Sequence, residues 1–277
     1  AQTLHSSKMT TNPNNSAGKT SSSEPTPDRS TADIGIVCSH KGELKPFLKR
    51  VDRQRSYSEH KMTVRGGFIG EITRIAVVEA GEGFANHRAG TELLVREHRP
   101  QWIISAGFSS TLTDDVQPGD LVIANEIADT HGQLIPVKCT IQARRRIHVG
   151  RLIVADDQPI TPAQKSSLRQ HHPGLAVDTG CLAVAQVCNE HSLKFLAIRG
   201  IVDAMHEEIP EQAASLMFHP GSRALGSAVG TLFKGLKMMS VMNSWRERTN
   251  TTAANLDRFL AGIVDQIAEA IERQRLG

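Results

Sequence analysis

The first unbroken apolar run of the chain is Ile34-Gly35-Ile36-Val37-Cys38, short and β-branched, the pattern of a strand buried on both faces. Residues 68–72 and 74–79 follow with one turn position between them and predict a hairpin. Residues 84–98 predict a helix stopped by Pro100. Residues 102–106 predict a strand that gives way to a small-residue stretch over 107–113. Two more strands are expected over 120–127, entered through Pro118-Gly119, and over 148–154. Thr161-Pro162-Ala163-Gln164 opens a helix, with Thr at the N-cap, Pro at the first helical position and Gln at the third. Residues 181–191 predict an amphipathic helix and 195–201 the strand after it. The last helix is the plainest: Leu256, Phe259, Leu260, Ile263, Val264, Ile267 and Ile271 recur at intervals of three and four, a single apolar stripe.

Strands apolar on both faces, alternating with helices, imply the α/β class: a single domain over 32–277, with a mixed, mainly parallel central sheet flanked by helices. Ligands of such folds collect beyond the carboxyl ends of the strands. That rule selects residues 38–43, 107–112, 155–160 and 202–203. Ahead of the domain, residues 1–31 hold thirteen Ser or Thr, three Pro and no aromatic residue. A stretch so poor in apolar surface is expected to stay disordered, and it has no apolar core of signal-peptide length. Residues 216–245 are instead rich in Leu, Met, Val and Phe, with Trp245 at the end. One or two helices packed on the body account for them; the sharper readings are a mobile lid, or an apolar surface for a greasy ligand, a partner subunit or a membrane.

Composition narrows the classes. The 277 residues are 39% hydrophobic and 22% charged, which excludes collagen, a coiled-coil rod and a wholly disordered chain. Lys and Arg number 32 against 29 Asp and Glu, a net charge of +3, too weak a field to make nucleic acid the default partner. Cys38, Cys139, Cys181 and Cys188 form no C-x-x-C pair and read as reduced thiols of a cytoplasmic protein, Cys188 as a small buried hydrophobe. The full G-x-G-x-x-G, the Walker lysine, H-E-x-x-H and G-x-S-x-G are all missing, so neither a cofactor nor a metal is expected.

Three acids fall at or just beyond predicted strand ends: Glu43, Asp157 and Asp203. A crevice position lets burial and neighbouring charge tune a carboxyl group. Two carboxyls, one protonated and one ionised, are what cleavage of a glycosidic-type bond requires. Capping and salt bridging are the plain alternatives. Gly81-Glu82-Gly83 is a glycine turn into a helix, able to offer amide donors to an anion or a hydroxyl.

Together these stretches resemble the nucleoside phosphorylase superfamily, and within it the branch of 5′-methylthioadenosine/S-adenosylhomocysteine nucleosidases. The resemblance rests on Ile34-Gly35-Ile36-Val37 followed by Glu43, on Gly81-Glu82-Gly83, on Ser105-Ala106-Gly107, on residues 116–122 and 183–188, and on residues 195–203. It implies hydrolysis of the N-glycosidic bond of a 5′-substituted adenosine, in nucleoside metabolism and methionine salvage. By the resemblance Asp203 is the acid that protonates the purine, and Glu43 is the base that activates water. Gly107, Ser109, Ser110, Ile160, Thr179 and Gly180 would surround the ligand. A homodimer binding a small nucleoside is implied.

The chain also departs from that pattern. The motif M-E-x-x-A, whose glutamate holds the ribose hydroxyls, reads Thr179-Gly180-Cys181-Leu182-Ala183, and Gly180 has no side chain to do so. Phe108 stands where a small polar residue is expected, Pro159 where an aromatic stacks on the purine, and Val202 where a Ser precedes the acid. Three readings stay open: a nucleosidase of altered substrate, such as an adenosyl compound with a larger apolar group; a phosphorylase using phosphate, with Arg88 and Arg199 as candidate anion ligands; and a non-enzymatic nucleoside-binding relative.

Overall fold

A computed structural model describes residues 28–218 and 235–276. In chain order the elements are β1 (Ile34–Cys38), α1 (Lys41–Leu48), β2 (Asp52–Glu59), β3 (Met62–Ile69), β4 (Thr73–Glu79), α2 (Phe84–His98), β5 (Trp102–Thr111), β6 (Leu121–Asp129), β7 (Leu134–Pro136), β8 (Ile147–Val154), α3 (Pro162–His171), β9 (Ala176–Asp178), α4 (Cys181–Glu190), β10 (Lys194–Ile201), α5 (Glu211–Phe218) and α6 (Gly235–Leu276). They form one α/β body around a ten-stranded sheet ordered β10-β6-β8-β9-β5-β1-β4-β3-β2, with β7 on β6.

The centre of the sheet is parallel: β4, β1, β5 and β10 run side by side in one direction. Because β5 pairs with both β9 and β10, the ring β5-β10-β6-β8-β9 closes on itself, while β1, β4, β3 and β2 stay open. The carboxyl ends of β1, β5 and β10 therefore converge on one edge, and the short antiparallel β9 lies against the end of β5. The stripe of α6 supplies Leu256, Leu260, Ile263, Val264, Ile267 and Ile271 to a core shared with β1, β5 and α1. Helix α3 begins as its sequence predicts: Thr161 accepts from the Gln164 amide, and Gln164 returns a bond to the Thr161 amide, a capping box worth about 1 kcal/mol.

Two local expectations change, and one strand was not expected. Strand β5 does not stop at Ala106; it runs to Thr111, because residues 107–111 are buried and pair with β10 and β9. The hairpin turn spans 70–72, and β3 starts earlier, at Met62. Strand β2, Asp-Arg-Gln-Arg-Ser-Tyr-Ser-Glu, has no apolar alternation, since it is an exposed, charged edge. Of the expected tail, residues 1–27 lie outside the described residues, and 28–31 are held on the body. Asp28 pairs with Arg74 at 2.6 Å, Arg29 with Glu59 and Glu97 at 3.0 Å, and the Ser30 carbonyl bonds with His98. Of segment 216–245, the end of α5 and the start of α6 are described, and 219–234 is outside. No helix among the described residues is long and apolar enough to cross a membrane.

Candidate functional site

The chain leaves β1 at Cys38 and turns through Ser39 and His40 into α1. Glu43 sits in the first turn of α1, where backbone amides lack helical acceptors. Its Oε2 accepts from the Ser39 amide at 2.8 Å and the His40 amide at 3.2 Å; Oε1 accepts from the Phe108 amide of β5 at 2.8 Å. The carboxylate thus caps its own helix and ties it to the sheet, at 2% exposure. Gly107 makes this geometry fit: a Cβ there would lie 2.6 Å from Glu43 Oε1.

Around Glu43 the ends of β5, β9 and β10 and the start of α2 gather further polar groups. Arg199 is buried and fully engaged: Nε donates to Asp178 at 2.6 Å, Nη1 to the Ser105 and Ile198 carbonyls, and Nη2 to the Ser105 hydroxyl at 2.8 Å. Asp178 also accepts from the Gly180 and Cys181 amides at the head of α4. Glu82 Oε2 accepts from the Thr179 hydroxyl at 3.4 Å, whereas Oε1 is buried and makes no hydrogen bond. Burial, then the charge of Glu43, pushes its carboxyl up to about 8. His87 is 4% exposed; Nε2 meets the Ser39 hydroxyl at 3.1 Å and Nδ1 has no hydrogen-bond partner. Burial lowers its pKa and keeps the ring neutral.

Asp203 follows β10 and is fully buried. Its Oδ2 accepts from Lys165 of α3, itself fully buried, whose ammonium also donates to the Ala204 and Glu207 carbonyls at 2.8 Å. Asp203 Oδ1 makes no hydrogen bond, with the Ser110 hydroxyl beside it. Burial raises the carboxyl to about 6 although Lys165 opposes the shift.

Glu43, Gly107 and Thr179 line one small cavity with Ser39, Glu82, His87, Ala106, Phe108, Gln158, Asp178, Arg199 and Phe218. Its volume is about 10 Å³, room for about one water molecule, with Phe218 of α5 forming one wall. The His40 ring, which meets the Met217 carbonyl at 2.5 Å, fixes α5 over α1. Ser109, Ser110, Ile160, Gly180 and Asp203 do not line the cavity. Ser109 donates to the Val177 carbonyl at 2.5 Å, Ser110 accepts from Gln158 at 2.7 Å, and Ile160 packs against the cluster of Phe108, Val202 and Ile209. Asp157 and Pro159 face a separate, open cavity of about 590 Å³ that shares Gln158 with the first. On the far side of Phe108 and Met217 lies a third cavity of about 410 Å³, walled also by Met242 and Trp245.

Sequence reasoning gave no role to Lys165, His87 or the Glu82 side chain. Lys165 sits in a polar helix and reads as solvated. Glu82 carried a faint signal in its glycine turn, but that turn was read for its amides. Arg88 belongs elsewhere, paired at the surface with Glu92 and Glu190. Among the described residues no group of three or more His, Cys, Asp or Glu is arranged to hold a metal ion.

Comparison with known proteins follows the same lines. The family model described as "Phosphorylase superfamily" matches residues 33–220. The 5′-methylthioadenosine/S-adenosylhomocysteine nucleosidase of Maridesulfovibrio salexigens is 25% identical over 202 residues, 63% of this chain and 87% of that one. That of Hydrogenovibrio crunogenus is 27% identical over 182 residues, 53% and 78% of the two. Among solved structures, the nucleosidase of Neisseria meningitidis in complex with methylthio-immucillin-A has the same fold, with a TM-score of 0.65 at 18% identity over 86% of this chain and 99% of that one. Futalosine hydrolase of Helicobacter pylori gives 0.60 at 16% identity, over 82% and 96%.

Proposed function

The chain belongs to the phosphorylase superfamily, and we propose that it is a nucleosidase that hydrolyses the N-glycosidic bond of a 5′-substituted adenosine. The observation that carries this reading is the Glu43 carboxylate, held on the cavity wall by three backbone amides at the carboxyl edge of the parallel strands. Such a group is positioned as a general base before substrate arrives. In the proposed step Asp203 gives its proton to N7 of the purine. The C1′–N9 bond breaks with its electron pair going to the base. Water, deprotonated by Glu43, adds to C1′. A carboxyl near 6 holds a useful fraction of its proton close to neutral pH.

Water rather than phosphate is supported by the arginines. Arg199 spends its donors on Asp178, Ser105 and Ile198, and Arg88 lies at the surface. Glu43 and Asp178 around the cavity would repel an anion. The cavity behind Phe108, with Met217, Met242 and Trp245 on one side and His40, Lys45 and Arg246 among its polar lining, suits a 5′ group larger than methylthio that is partly apolar. Admitting any nucleoside requires Phe218 and the end of α5 to move outward.

The small cavity and the Lys165 clamp on Asp203 favour a second reading, a nucleoside-binding relative without turnover. Incubation of the full chain with methylthioadenosine, S-adenosylhomocysteine and inosine, with and without phosphate, separates the two. Free base without phosphate supports the nucleosidase. Strict phosphate dependence makes it a phosphorylase. No base released from any of them, with binding still seen by calorimetry, leaves the second reading.

A further inference from the structure

We propose that Glu82 and His87 bind the sugar hydroxyls of the substrate, so that this chain holds its ribose from the start of α2 rather than from the start of α4. The inference rests on the nucleosidase reading and names the sugar subsite of that cavity.

Gly180 is the first observation. A Cβ built on it would stand 2.1 Å from His87 Nδ1, 2.4 Å from Cγ and 2.6 Å from Cε1. The imidazole occupies the space that any larger residue at 180 would need, so the two are mutually exclusive. What Gly180 lacks, the opposite wall supplies.

The second observation is the state of those groups. Glu82 and His87 both line the cavity, and Glu82 Oε1 and His87 Nδ1, the latter on a residue 4% exposed, make no hydrogen bond, although buried polar atoms are nearly always partnered. Their other ends are tied down, His87 Nε2 by the Ser39 hydroxyl and Glu82 Oε2 by the Thr179 hydroxyl. Each therefore presents one fixed, unused polar atom.

The chemistry of that pair selects the ligand. Burial and the Glu43 charge keep Glu82 protonated at neutral pH, and burial keeps His87 uncharged. A carboxylic acid and a neutral imidazole offer both donors and acceptors with no net charge. Neighbouring hydroxyls, each donor and acceptor at once, complement such a pair; a phosphate or carboxylate does not. Glu43 lines the same cavity, so a ring held by its hydroxyls faces the base.

The test compares methylthioadenosine with its 2′-deoxy and 3′-deoxy analogues on the wild type, Glu82→Ala, Glu82→Gln and His87→Phe, with thermal melting to verify folding. The wild type should favour the ribo substrate over the weaker deoxy analogue by about 10- to 100-fold in kcat/KM, the value of one buried hydrogen bond. Glu82→Ala and His87→Phe should lose at least about tenfold more on the ribo substrate than on that analogue. Glu82→Gln, which retains a donor and an acceptor, should keep more of the preference and serves if Glu82→Ala fails to fold. Equal losses on all three substrates in Glu82→Gln and His87→Phe would overturn the proposal. Calorimetric binding of the same compounds gives the comparison without turnover. A chain that binds with ribo preference and does not cleave refutes the nucleosidase reading and upholds the subsite; a wild type that binds none of them, or all alike, refutes the subsite.

Discussion

Substituting Gly107 by Ala tests how Glu43 is held. The new Cβ would lie 2.6 Å from Oε1, roughly 0.8 Å short of the 3.4 Å at which ordinary contact begins, with Cδ at 3.0 Å and Oε2 at 3.1 Å. Rotation of the side chain offers little escape, because three amides grip the carboxylate, two of them at 2.8 Å. A retreat of this size takes Oε1 out of reach of the Phe108 amide and leaves that buried N–H unpaired. Losing a hydrogen bond to a charged group costs about 1.5–3 kcal/mol. In a chain of this size that lowers Tm by roughly 3–12 °C. On the proposed mechanism the displaced base also lowers kcat on methylthioadenosine by about 100-fold. Gly66→Ala is the control: it too lies in a strand, and its nearest atoms stand at 3.8 Å. Scanning calorimetry and initial rates on both variants decide the matter. A Gly107→Ala protein that melts within a degree of Gly66→Ala would show that Glu43 is not fixed by this close approach, and the role given to it would fall.

Asp203→Asn should cost about 3–5 kcal/mol of stability, because the buried Lys165 loses its carboxylate partner; adding Lys165→Met should recover part of the loss, and additive losses in urea denaturation would count against the pair. Glu82 has a folded pKa of about 8, above its ordinary value, so its contribution to stability is complete below about pH 4.5 and is lost as pH rises through 8. Urea midpoints from pH 5 to 9 should accordingly fall in the wild type relative to Glu82→Gln, and parallel profiles would contradict the shift. Truncation at residue 27 should leave Tm unchanged, whereas truncation at residue 31 removes the Asp28–Arg74 and Arg29 pairs and should lower it measurably; equal melting of the two forms would show those pairs contribute nothing.

Much of the architecture was legible because its causes are local. The run at 34–38, the stripe of α6, the bounds of α2 and the capping box at Thr161 are written in neighbouring residues, and periodicity and capping act over a few positions. Elements whose cause is distant were not: β2 is a strand only because β3 lies beside it, and β5 continues through residues 107–111 only because β9 and β10 cover them. Glu43, Gly107 and Thr179 could be singled out from motif and strand-end position, and they line one cavity. Asp203 could be named in the same way, but not the lysine that neutralises it, since Lys165 is buried only where α3 folds across the end of β10.

The sequence by itself determined the alternation of strands and helices, the edge of the sheet where ligands collect, and that Glu43 and Asp203 stand near strand ends. Tertiary structure alone decided the state of each: which is gripped by amides, which is paired with a buried cation, and which is left with a free atom. It also decided that His87 fills the space Gly180 leaves. Identity and spacing survive in a linear chain, whereas desolvation, charge coupling and steric exclusion act through space, between residues brought together only by folding.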